Sequence, residues 1–92
     1  SKILLKEIAN YIKNQPDSRW RIEGYTDNQG STSFLKKLSY DRAKSVYEYL
    51  ISQGPSSSQF TLFGLGSTSP IANNDTPEGR STNRRIIIIR ED

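Results

Sequence analysis

The residues best suited to chemistry in this sequence are a carboxylate and a guanidinium in two nearby segments. Asp27 follows Thr26 at the end of an alternating stretch, and Arg42 lies within Leu38-Ser39-Tyr40-Asp41-Arg42-Ala43, where a helix is expected to begin. Strand ends and helix N-termini are where ligand sites collect in mixed folds, because unpaired backbone N–H groups point outward there. With Ser39 as the N-cap, Arg42 falls in the first helical turn, where a cation opposes the helix dipole at a cost of about 0.3–1 kcal/mol. Asp41 offsets part of that cost, and a plain ion pair between Arg42 and Asp27 or another carboxylate would account for it structurally. A position that breaks a local rule is also where function tends to reside. Asp27 can accept hydrogen bonds from an ammonium and Arg42 can hold a carboxylate through its two-pronged fork, so together they suit a zwitterion such as a free amino-acid end.

Little other chemistry is open to the chain. Its 92 residues include no Cys, His or Met. Without thiolate or imidazole, structural zinc, haem, iron–sulfur ligation and nucleophile systems built on Cys–His or Ser–His–Asp are excluded. Paired carboxylates remain, but Glu23 and Asp27 on one strand stand about 13 Å apart by strand rise, too far for a glycosidase acid–base pair. Asn73-Asn74-Asp75 with Glu78 lacks the spacing of an EF-hand, so neither metal nor cofactor is expected. Thirteen basic against ten acidic residues give a net charge of +3, with the signs alternating along the chain. A nucleic-acid module using Arg19, Arg21, Lys36, Lys37, Arg80, Arg84 and Arg85 is the competing function, although Glu23, Asp27 and Asp41 interrupt its basic clusters and no nucleic-acid motif is present.

The elements that must position Asp27 and Arg42 follow from periodicity. Ile3, Leu4, Leu5, Ile8, Tyr11 and Ile12 recur at helical spacing, predicting a first helix over residues 2–14 that Pro16-Asp17 stops. Arg19 to Thr26 alternates, with Trp20, Ile22 and Gly24 on an apolar face and Arg21, Glu23 and Tyr25 on the other, and Trp20 is expected in the core. Asp27-Asn28-Gln29-Gly30-Ser31 ends that strand in turn chemistry. The second helix carries Leu38, Ala43, Val46 and Leu50 along one stripe and stops at Gly54-Pro55, with Tyr40, Tyr47 and Tyr49 serving packing and surface. A second strand is expected over residues 59–65, then a long Gly/Pro/Ser/Thr/Asn excursion between Gly66 and Asn83, and a final strand from Arg85 to Arg90. Its four consecutive Ile residues imply a strand covered on both faces or flanked by other strands. The order αβαβ(loop)β predicts a single α+β or α/β domain over residues 1–92, in two layers, with helices on one face of a small sheet. Ser1 opens directly into a helical pattern with no initiating Met, as expected of a segment whose targeting signals lie upstream.

Four ordered blocks carry a family resemblance. Ile22-Glu23-Gly24-Tyr25-Thr26-Asp27-Asn28-Gln29-Gly30-Ser31, Leu38-Ser39-x-x-Arg42-Ala43-x-x-Val46-x-x-x-Leu50, Phe63-Gly64-Leu65-Gly66-x-x-x-Pro70 and Asn83-Arg84-Arg85 together resemble the OmpA-like C-terminal domain that associates with peptidoglycan. The resemblance spans about Arg19 to Arg90. It implies an α+β two-layer sandwich on a mixed sheet, of βαβαββ type, that binds the diaminopimelate of uncrosslinked stem peptides without hydrolysing it. It also implies that Asp27 binds the diaminopimelate amine, Arg42 binds its carboxylate, Thr26 adds a backbone or hydroxyl contact and Arg84 lies behind them as a supporting charge. Leu35 stands where the family usually has Asn, which removes one polar contact, and the family's first strand has no counterpart before Ser1. That strand would lie beside the final one, so the edge at Ile86 to Ile89 is expected to be covered by another chain, a swapped element or a packing neighbour. The implied setting is the periplasmic side of a Gram-negative outer membrane, where the domain would anchor an outer-membrane protein, lipoprotein or motor component. Nucleic acid is not an expected partner, and membrane contact would come only through an upstream anchor.

Overall fold

A computed structural model describes residues 2–92, with side chains from Leu4 onward. Its elements are α1 (Lys2–Lys13), β1 (Trp20–Tyr25), α2 (Thr32–Ser52), a 3₁₀ turn (Ser57–Gln59), β2 (Phe60–Gly66), α3 (Pro77–Asn83) and β3 (Arg85–Arg90). The sheet runs β2-β1-β3, with β2 parallel and β3 antiparallel to the central β1. This is the expected α+β arrangement on a mixed sheet. Among the described residues no helix is long and apolar enough to cross a membrane.

Alternation along β1 sorts its side chains to opposite faces. Ile22 joins Ala9 of α1 and Ala43 and Leu50 of α2 in the buried core, with Leu62 of β2 and Ile86 and Ile88 of β3 packed against them. Gly24 is required for this packing, since a Cβ there would collide with the carbonyl of Ser39, and the missing side chain lets α2 lie directly on the strand. The opposite face holds a polar ladder. Arg21 pairs with Glu23 at 2.8 Å, the Tyr25 hydroxyl donates to Glu23 at 2.9 Å, and Arg21 and Arg85 stack on the rings of Phe63 and Tyr25 at 4.0 Å each.

Several expectations need correction. The α2 helix starts at Thr32, capped by Ser31, whose hydroxyl accepts from the Phe34 amide at 3.2 Å. Ser39 is therefore no cap. It is wholly buried inside the helix, where its hydroxyl donates to Lys36 O at 2.9 Å and accepts from the Gly66 amide at 3.0 Å, bolting α2 to the end of β2. Arg42 lies in mid-helix as a result, where the helix dipole exerts no first-turn penalty. Trp20 sits at the rim instead of the core, half-buried, edge-on to Tyr11, with its indole N–H donating to Ser18 Oγ at 2.7 Å. The Ile run of β3 is not enclosed: β3 pairs with β1 alone among the described residues, Ile86 to Ile88 are half-buried, and Ile89 is 41% exposed. Within the long excursion lies α3, signalled by Thr76 as N-cap and Pro77 in the first turn.

Candidate functional site

The site forms at the C-terminal end of β1, where the chain turns from Tyr25 into Asp27. The Thr26 amide donates to Gly66 O at 2.8 Å and its hydroxyl donates to Asp27 O at 2.8 Å, so Thr26 is buried and serves to shape the turn. Asp27 is only 7% exposed. One carboxylate oxygen accepts from the Gln29 amide at 3.1 Å, closing an Asx turn, and the other accepts from Arg84 Nη1 at 2.6 Å. Burial pushes the Asp27 carboxyl up, but the Gln29 amide and the Arg84 guanidinium, helped by the charge of Arg80, outweigh it and hold the group below the usual carboxylate range.

Arg42 approaches from α2. It is exposed, and no hydrogen bond or ion pair ties it to another described residue. With Arg84, Arg85 and Ile86 it lines a cavity of about 280 Å³. The Arg85 guanidinium turns to the other face of the sheet, where it covers Tyr25 and donates to Ser69 O at 2.8 Å and Asn83 O at 3.2 Å. Arg42 and Arg84 thus line one small concavity, and of the two only Arg84 is already paired, with Asp27. Such a corner attracts carboxylates, and a charge-assisted fork is available from Arg42 because nothing else engages it.

The ion pair with Asp27 expected as an alternative for Arg42 therefore belongs to Arg84, which the family resemblance places behind the site as a supporting charge. Tyr25, at the end of β1, is paired in register with Arg85 of β3 and carries its guanidinium on the ring. Burial and the bond to Glu23 raise the Tyr25 hydroxyl above its ordinary range, so it stays neutral beneath Arg85. Glu23, weighed above as a hydrolytic partner of Asp27, is engaged by Arg21 and Tyr25. Leu35 is buried beside the Gly30 turn and presents no polar group to the site. The basic residues weighed for nucleic acid are largely engaged: Arg21 with Glu23, Lys37 with Asp41, Arg80 with Asn74 O and Arg84 with Asp27. A larger depression, about 640 Å³, lies between α1 and the end of α2, but its lining of Lys6, Glu7, Asn10, Lys13 and Gln53 is surface side chains with no convergent chemistry.

Residues 1–84 match the model of the OmpA family. The chain belongs to that family. It is 46% identical over 86 residues to the peptidoglycan-binding protein ArfA of Mycobacterium tuberculosis, covering 94% of this chain and 26% of ArfA. It is 40% identical over 84 residues to the probable lipoprotein YiaD of Escherichia coli, covering 91% of this chain and 38% of YiaD. It therefore spans well under half the length of these curated relatives. Among solved structures, the peptidoglycan-associated lipoprotein of Burkholderia pseudomallei superposes with a TM-score of 0.94 at 28% identity, covering 98% of this chain and 76% of that one. The C-terminal domain of Helicobacter pylori MotB gives 0.89 at 30% identity, covering 99% and 71%. Within this OmpA-family chain, the Asp27 turn, the Arg42 helix and the Asn83-Arg84-Arg85 block are far apart in sequence and meet at one end of the sheet.

Proposed function

We propose that this OmpA-family domain is a non-catalytic module that binds peptidoglycan through the diaminopimelate of stem peptides and so anchors a larger envelope protein to the cell wall, on the periplasmic side of the outer membrane. The observation that carries the reading is the exposed, unengaged Arg42 guanidinium facing the same concavity as the Arg84 that grips Asp27. Arg42 takes the ligand carboxylate in a bidentate fork. Asp27 accepts the ligand ammonium through lone pairs not used by Gln29 and Arg84, since an ionised carboxylate offers about four acceptor sites. Thr26 contributes through the backbone it shapes. The names and structures of the relatives support the same reading.

Hydrogen bonds to charged groups contribute about 1.5–3 kcal/mol each. A few of them, less the entropy of capture, give about millimolar to micromolar affinity. A wall presenting many copies beside a confined domain supplies avidity. The test is co-sedimentation with purified sacculi and calorimetry with stem peptides: amidating the diaminopimelate carboxylate, or replacing diaminopimelate by Lys, should weaken binding at least about tenfold. Equal affinity for native and amidated peptides would remove Arg42 from its role.

The outer edge of β3 belongs to the same proposal. Among the described residues no strand pairs with that edge, and its backbone over Ile86 to Ile89 suits pairing with another strand, from a second copy, a swapped element or a packing neighbour. Sedimentation equilibrium tests it, and a chain of residues 1–92 that stays monomeric at millimolar concentration counts against it.

A further inference from the structure

One wholly buried polar side chain near the site is not used by the proposed binding scheme. Asn83, the last residue of α3, has no solvent exposure, and all of its amide valences are filled. Its Oδ1 accepts from the Ile71 amide at 2.8 Å and the Ala72 amide at 3.0 Å, and its Nδ2 donates to Ala72 O at 3.0 Å and Asn74 Oδ1 at 2.7 Å. The loop is drawn so close to α3 that a Cβ on Gly79 would collide with the carbonyl of Asn73. A helix of seven residues cannot hold itself, so its direction is set by what it is tied to. Asn83 is the principal tie, and the next residue is Arg84.

We infer that Asn83 is a positioning residue for the ligand site: by locking the 71–74 loop onto the end of α3, it fixes the chain direction that brings the Arg84 guanidinium to Asp27 and leaves Arg42 facing an open cavity. This rests on the proposed function for its ligand, but not for its geometry. On one side of Arg84 the chain is held by β3, where Arg85 pairs with Tyr25 of β1. On the other side it is held by Asn83 and by Arg80, which donates to Asn74 O at 2.9 Å. Both of these holds end on the same loop. Without them Arg84 would keep a single fixed neighbour and sweep a cone in which the Asp27 contact is one position among many.

The experiment follows the Asp27 carboxyl by side-chain carbon NMR and, in the same samples, titrates meso-diaminopimelate. Asn83→Ala removes the hub, and Asn74→Ala removes one of its acceptors from the loop side while changing no charge. Thr76→Val is the control, because it deletes the hydroxyl that caps α3 at the Gly79 amide and touches neither Asn83 nor Asn74. Asn83→Ala and Asn74→Ala should move the Asp27 titration up toward the ordinary range and weaken diaminopimelate binding at least about fivefold, whereas Thr76→Val should leave the Asp27 titration where it is. If Asn83→Ala does not fold, Asn74→Ala decides. Folded variants with an unmoved Asp27 titration and unchanged affinity overturn the inference, and so does a Thr76→Val shift as large as that of Asn74→Ala. Should the wild-type domain fail to bind diaminopimelate, the proposed function falls while the Asp27 titrations still decide the role of Asn83.

Discussion

An Arg–Asp pair stands at each end of β3, and the two differ in almost everything but their chemistry. At the start of the strand Arg84 reaches Asp27 at 2.6 Å across 57 residues of sequence. At its end Arg90 reaches Asp92 at 2.9 Å, only two residues on, with both side chains 39% exposed. The Asp92 carboxyl is lowered chiefly by its bond from Arg90. Asp27 is lowered even though its burial works the other way, because the Gln29 backbone amide, the Arg84 guanidinium and the charge of Arg80 act on it together. Arg90 lies over Trp20 and donates to the Tyr11 hydroxyl, and the Arg19 amide, just before β1, reaches Asp92. The two pairs differ in their surroundings more than in their distances: Asp27 is buried and its partner lines a cavity with the unengaged Arg42, whereas Arg90 and Asp92 stand open to solvent.

Asp27→Ala should give the largest effect. It should abolish co-sedimentation with sacculi and lower unfolding free energy by about 1–2 kcal/mol, since the turn loses its Gln29 bond while the half-exposed Arg84 regains water. Retained binding would put the site elsewhere. Arg42→Ala should reduce binding comparably, by at least about tenfold, but leave stability within about 0.5 kcal/mol, because no described residue depends on it. A large stability loss for Arg42→Ala would mean that it is structural.

Acid titration sharpens the contrast next. The folded-state value of Asp27 lies below that of an unfolded Asp, about 3.9, so its contribution is fully present above that pH and is lost as pH falls through the lower folded value. Urea unfolding at pH 6 and at pH 3 should show a decline in the wild type that Asp27→Asn lessens, and equal declines would deny Asp27 its linkage. Arg84→Lys should have a smaller effect, weakening sacculus binding about threefold, because an ammonium keeps the charge but cannot share a planar fork between Asp27 and the cavity. Asp92→Ala should change neither binding nor stability beyond error. A loss there as large as that at Asp27 would make the two ends equivalent and sink the comparison.

Much of this molecule was determined by its sequence alone. The period of three and four in α1, the alternation of β1, the bounds of β3 and the turn at Asp27-Asn28-Gln29-Gly30 are local matters, decided by side-chain direction and backbone propensity within a few residues, and they could be read directly. The chemistry of Asp27 and Arg42 was also legible, because a fork and a carboxylate are properties of residue type. What only the tertiary structure decided is who meets whom. Ser39 was read as a cap because its hydroxyl could serve that end, yet the absence of a Cβ at Gly24 draws α2 so close to β1 that the same hydroxyl is buried as a bolt to Gly66. The partner of Asp27 could not be chosen among several arginines by spacing, since the choice depends on where α3 ends. That is set by a buried Asn83 whose hydrogen bonds run to a loop of no periodic pattern. Local rules bound each element, and long-range bonds with no sequence period arranged them into a site.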